Sequence, residues 1–168
     1  MTISMYKASV PVFDAMLKAL DHVLAKAERH AAESAADLDE LFSARLAPDM
    51  LPLRSQVQIA CDHAKGASCR LAGRDIPSFP DTETRFIDLR ARIARTRDLL
   101  NTFSDADIDG SEEREIVVAL RQGELRFTGI QYLLHYATPN FYFHVTTAYD
   151  ILRSRGVPLG KADFFGRG

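Results

Sequence analysis

Apolar side chains recur along this chain at steps of three and four, the spacing that lines one face of a helix. After Ser9-Val10-Pro11, the positions Phe13, Met16, Leu17, Leu20, Leu24 and Ala27 fall on one stripe, with Pro11 placed early, where its missing N–H costs little. A second helix opens at Pro52, buries Leu53, Val57, Ala60, Ala64, Ala67 and Leu71, and stops at Gly73. The connector GRDIPSFPDTET leads to a third, with stripe Phe86, Leu89, Ile93 and Leu100, and Asp81, Thr82 and Glu83 supply capping groups at its start. Residues 34 to 50 read as a loop, and AAESAAD reads as the frayed end of the first helix or part of that loop.

The period then changes. EIVVALRQGELRFTG holds two extended runs around Gln122-Gly123, a hairpin turn with glycine where positive φ is tolerated. A two-stranded ribbon is marginal alone, so it must lie against the helices or a partner subunit. IQYLLHYA is a short helical piece, and Thr138-Pro139 either caps a new helix or kinks a continuing one. The last helix ends near Gly156, with Arg153 and Arg155 favourable to its dipole. The pattern predicts an all-α fold: one four-helix-bundle domain over residues 1–168, with a long crossover and a small β-hairpin before the last helix.

Composition narrows the classes. The 168 residues are 46% apolar and 26% charged, ordinary globular usage, and the formal net charge of −2 recruits neither nucleic acid nor an anionic membrane. No apolar run has spanning length, and the N-terminus lacks the basic head and apolar core of a signal peptide. A cytoplasmic protein without nucleic-acid or membrane partners is expected. Cys61 and Cys69 share one helix at a separation of about 12 Å, beyond disulfide reach, and read as reduced packing thiols. No phosphate loop, nucleophile elbow, HExxH or CxxC occurs.

The charged and aromatic groups have simple readings first. Arg85, Arg90, Arg92, Arg95 and Arg97 spread over the third helix outside its apolar stripe, with Asp88 and Asp98 among them, as a solvated face does. His22 projects opposite the first apolar stripe and His30 lies on its flank, both as surface residues. Phe164 and Phe165 make the C-terminal tail too apolar to float free, so it docks on the bundle or on a second subunit.

The chemistry gathers at His144. Asn140, His144, Thr147 and Ile151 form a stripe beside the apolar face of Phe141, Val145, Ala148 and Leu152, so the imidazole points inward. It is either a buried histidine bonded to its neighbours or part of a polar pocket. Gln56 and His63 occupy a shared flank of the second helix, two turns apart, where they can face that pocket. Asp62 lies opposite the second helix's apolar stripe. It forms a surface pair with Lys65 or has a buried role at a crossover or dimer contact.

The blocks RLAPDMLPLRSQVQIACDHAK (45–65), RLAG (70–73), GELRFTG (123–129) and PNFYFHVTTAYDILRSRGVPLGK (139–161) resemble an uncharacterised bacterial family of the DinB-like superfamily. The resemblance implies an up-down-down-up bundle, frequently a homodimer. It also implies a divalent metal held by three histidines, one on the second helix and two at HxxxH spacing on the last, that activates a thiol or water. Here the HxxxH positions fall on Asn140 and His144, and the second-helix position falls within 56–60, where no histidine stands; His63 is a turn further on. Three readings follow. The leading one is a small-molecule-binding bundle with an incomplete metal triad, its pocket drawn from Gln56, Asp62, His63, Asn140, His144 and Thr147. The second is a metal-dependent transferase or hydrolase anchored on His144, and the third a non-enzymatic, dimeric, stress-associated interaction protein. No catalytic residue is assigned. A bound divalent metal is not favoured, and His144 is its ligand if one is held.

Overall fold

The computed structural model describes residues 3–34, 36–120 and 122–167. Four long helical stretches carry the fold: α1 (Val10–Ser34), α3 (Leu53–Ala72), α4 (Phe86–Leu100) and a last run ending in α7 (Thr138–Ser154). Every residue of the first three predicted stripes is buried, because each helix turns its apolar face to the common centre. Short helices α2 (Leu38–Ser43), α5 (Asp105–Ile108) and α8 (Lys161–Phe164) lie in the connections.

Neighbouring contacts give the directions. Along α3 and α4, Gln58 meets Glu83 and Asp62 meets Arg92, and beyond both helices Arg74 lies over Phe103, so the two run parallel. Against α1, Arg90 meets Asp21 and Glu28 while Arg97 meets Asp14, so α4 and α1 are antiparallel. The order is up-down-down-up, and the segment 73–85 is the long crossover that carries the chain back along the bundle. Gly73 ends α3 in the left-handed region at φ 65° and starts this strap.

The hairpin is β1 (Glu115–Leu120) paired antiparallel with β2 (Gly123–Thr128), Gly123 standing at φ 118° beside the turn. Ile116 and Val118 are buried beneath it. From β2 the chain enters α6 (Gly129–Gln131), where a Cβ on Gly129 would collide with the Ser111 carbonyl oxygen. The backbone then widens into a π-helical turn over Tyr132–Ala137 and continues without a break into α7. Thr138-Pro139 therefore lies inside a continuing helical run. The wider turn gives the Pro139 ring the room that an α-turn denies it.

Four sequence expectations need correction. The loop of residues 34–50 contains α2, capped by Asp37, whose carboxylate accepts from the Asp39 N–H at 2.8 Å; the AAESAAD stretch begins inside α1, and Ala35 lies outside the described residues. The cap of α4 is Asp88, which accepts from the Thr84 and Arg85 amides, while Asp81 and Glu83 turn to Arg92 instead. His22 is half-buried and bonds Asp163 at 3.1 Å, whereas His30 lies beside the Ser34 hydroxyl. This contact belongs to the tail: Asp163 caps the Gly160 amide and accepts from Lys26, which together hold its carboxyl down to about 2 and pin α8 onto α1. Phe164 packs edge-on to Tyr149, and Phe165 stays exposed.

The fourth correction concerns the arginines. Arg90 and Arg97 tie α4 to α1, and Arg92 is only 4% exposed. Its guanidinium meets Glu83 at 2.9 Å, Asp62 and Asp81 at 3.1 Å, and donates to the Phe79 and Pro80 carbonyls of the strap. Burial pushes the Glu83 carboxyl up, but the Gln58 and Arg92 hydrogen bonds outweigh it and hold it below its usual range. The Phe79 ring receives Arg95 at 3.9 Å and the buried Lys65 at 4.4 Å. Asp62 combines the two sequence readings: it pairs with Lys65 as a part-exposed carboxylate and also reaches Arg92 at the crossover. Replacing Arg92 with leucine leaves the partly buried Glu83 with Gln58 alone and releases the strap, so urea denaturation should show a loss of about 2 to 3 kcal/mol.

Candidate functional site

The site lies along the seam between α3 and the last helical run, which pass antiparallel. On α3, Gln56, His63 and Arg70 recur every seven residues and so share one flank, with Ile59 and Gly66 between them. On the last run Tyr132, Tyr136, Asn140 and His144 recur every four. The two rows meet rung by rung. Gln56 bonds His144 at 2.7 Å, and the His63 ring lies 5.7 Å from that of His144 and 6.1 Å from that of Tyr136. At the far end Arg70 donates to the Tyr132 hydroxyl at 3.2 Å.

Hydrogen bonding decides the protonation of His144. The Gln56 amide nitrogen donates to the Leu51 carbonyl at 2.9 Å, which turns the amide oxygen toward His144 Nδ1. An amide oxygen only accepts, so the neutral imidazole carries its proton on Nδ1 and its lone pair on Nε2. Burial depresses the His144 pKa. Burial lowers His63 more strongly, with repulsion from His144 added, to about 4, so both rings are neutral at pH 7.

Beside His63 a cleft of about 170 Å³ opens between α3, the hairpin and the π-helical turn. It is lined by Ile59, Asp62, His63, Arg70, Val118, Tyr132 and Tyr136. Larger depressions lie elsewhere: one follows the strap beside Arg92, one the loop after α2, one the hairpin beside Arg126 and one the groove between α1 and α4 beside Arg90. None of these is lined by a histidine, and the strap depression lies over the ion pairs that anchor Phe79 and Pro80.

The six residues singled out from the sequence divide clearly. Gln56, His63 and His144 come together as expected, and Asp62 reaches the cleft wall although its carboxylate is engaged by Lys65 and Arg92. Asn140 turns back to donate to the Tyr136 carbonyl at 2.7 Å. Thr147 is buried and donates to Phe143 of its own helix. Arg70, Tyr132 and Tyr136 were not anticipated. The seven-residue repeat from Gln56 through His63 points to Arg70, but the tyrosines depend on the π-helical turn, which has no comparable signature.

The donor set does not fit the three-histidine metal site. Two imidazoles are present, Asn140 offers only an amide oxygen while its nitrogen donates to its own helix, and among the described residues no group of three His, Cys, Asp or Glu side chains stands ready to hold an ion. The thiols add nothing reactive: burial pushes Cys61 up to about 12 and raises Cys69.

A bundle of this topology, with a hairpin ahead of its last helical run and a polar seam between that run and α3, is a DinB-like helical fold. The chain belongs to the family described as Domain of unknown function (DUF1993), whose profile matches residues 5–165. It is 42% identical to a DinB family member protein from Shewanella denitrificans, known from a crystal structure at 1.83 Å, with a TM-score of 0.87 over 96% of this chain and 91% of that one. No curated protein matches the chain. No helix among the described residues is long and apolar enough to cross a membrane.

The imidazole pair makes stability depend on pH. His63 has a folded pKa near 4 against about 6.5 unfolded, so below pH 6.5 the unfolded chain takes up the proton first. Stability falls as pH drops from 6.5 toward 4 and then levels. Urea titrations at pH 7 and pH 5 should differ by roughly 2 kcal/mol from this group, and His63→Leu should remove that difference.

Proposed function

We propose that the protein binds a small molecule in the cleft beside His63, with His144 and Gln56 holding His63 and the cleft floor in place. The carrying observation is the coincidence of a small concave site with a neutral imidazole, two tyrosines and an arginine on rigid helical seams. Ile59 and Val118 give the cleft apolar surface that suits a hydrocarbon body, and His63 and Arg70 on α3 face Tyr132 and Tyr136 on the last helical run. The chain acts as one bundle unit over 1–168, and in this reading it is a cytoplasmic homodimer. The support for a second copy is that Leu134 and Phe143 of the last helical run stand 47% and 55% exposed. The buried free thiols accord with a reducing compartment.

A fragment mixture observed by NMR tests the cleft. Fragments that bind should shift the His63 ring resonances, and Ile59→Trp, which fills the cleft from α3, should abolish those shifts. Binding indifferent to Ile59→Trp, or none at all, removes the reading.

One observation favours a second reading. Gln56 leaves the Nε2 lone pair of His144 unprotonated, the state a metal ligand requires. A divalent ion anchored there would supply a Lewis acid for transferase or hydrolase chemistry. Elemental analysis of untagged protein separates the two. The leading reading expects well under one equivalent of divalent metal, unchanged in His144→Ala; a full equivalent lost with that substitution supports the metal enzyme.

A further inference from the structure

Resting on the cleft reading above, we infer that the ligand is a small organic monoanion whose carboxylate is held by the Arg70 guanidinium and the Tyr132 and Tyr136 hydroxyls. Arg74, Arg90, Arg92 and Arg97 each have a carboxylate partner within 3.1 Å. Among the described residues Arg70 has none, and its one hydrogen bond goes to the Tyr132 hydroxyl. That hydroxyl accepts from Arg70 and keeps its own hydrogen to donate; the Tyr136 hydroxyl has no partner among the described residues. The cleft wall therefore carries a cation and two O–H groups, the buried Tyr132 hydroxyl beneath Arg70 and the Tyr136 hydroxyl, which are groups that recognise a carboxylate.

The backbone is arranged for this placement. A Cβ on Gly66 would stand 2.6 Å from Arg70 Nη1. Glycine in the middle of a helix weakens it, and Gly66 lies in the middle of α3, one turn before Arg70 and on the cleft flank. Its missing side chain lets the guanidinium fold back along the helix toward His63 and lie 5.7 Å from the Tyr132 ring centroid. Gly66 is a positioning residue for Arg70.

The charge count selects the class of anion. His63 is neutral, so Arg70 brings the single uncompensated charge to the cleft. Asp62 stands in the same wall with its charge matched by Lys65 and Arg92, so those two cations are engaged and none beyond Arg70 is free in the cleft lining to receive a second negative charge on the ligand. A monocarboxylate meets these conditions and a phosphate dianion does not. A volume of about 170 Å³ restricts the body to a short chain or one ring, with Ile59 and Val118 against it.

Calorimetric titration at pH 7 with benzoate, benzamide and inorganic phosphate tests the inference on the full chain. Benzoate should bind, and benzamide and phosphate at least about tenfold more weakly. Arg70→Gln should erase the benzoate preference, and Arg70→Lys should keep part of it through charge alone. Gly66→Ala should leave the melting temperature unchanged or higher while weakening benzoate and sparing benzamide, an effect that a purely structural role would not produce. Equal binding of benzoate and benzamide, both lost in Ile59→Trp, overturns the anion and leaves the cleft standing. Phosphate binding as tightly as benzoate also overturns the monoanion. Absence of all binding here, together with fragment shifts at His63 that survive, overturns the carboxylate alone; absence of both removes the cleft as well.

Discussion

Pro139 has no N–H to return to the preceding turn, and its ring crowds the carbonyl four residues back. The last helical run meets that constraint by widening over Tyr132–Ala137 before the proline is reached. In a regular α-helix, residues four apart drift around the axis by about 40° at each step. Three such steps would carry Tyr132 well away from the line of His144. The wider turn takes back part of that drift, so Tyr132 and Tyr136 stay stacked, 5.8 Å apart, against the flank of α3. The match between a seven-residue row on one helix and a four-residue row on its neighbour depends on this local change of pitch.

The opposite side of α3 is organised by charge. Parallel α3 and α4 need a connection as long as the bundle, and an extended strap offers little apolar surface to secure it. Arg92 supplies the missing adhesion: its one buried guanidinium donates to two strap carbonyls and pairs with two strap carboxylates. Asp62 joins this network and also lines the cleft, so one carboxylate belongs to both the scaffold and the site.

The helices were legible because burial writes a period into the chain: every residue of the α1, α3 and α4 stripes is where the spacing put it. The hairpin was legible from glycine chemistry at 123. What escaped was set by long-range partners. Nothing local distinguishes Arg92 from Arg95, since one becomes buried only because Asp62 and Glu83 arrive from elsewhere. His22 reads as surface until Asp163, far along the chain, reaches it. At the site, the meeting of Gln56, His63 and His144 follows from helix faces alone. The withdrawal of Asn140 to its own backbone does not, because it follows from the altered geometry around Tyr136.

Most walls of the cleft belong to long helices, but Val118 is borne by a two-stranded ribbon that is held down by Ile116, Val118 and the Phe127 ring, which lies against Tyr132 and Tyr136. Separating helices would break the hydrophobic centre of the molecule, whereas lifting the ribbon parts only two aliphatic side chains and one aromatic ring from the bundle. For a ligand of the kind proposed, entry and exit would follow the opening of the ribbon rather than of the bundle, and substitutions at Val118 would tune the rate of exchange without touching the polar seam.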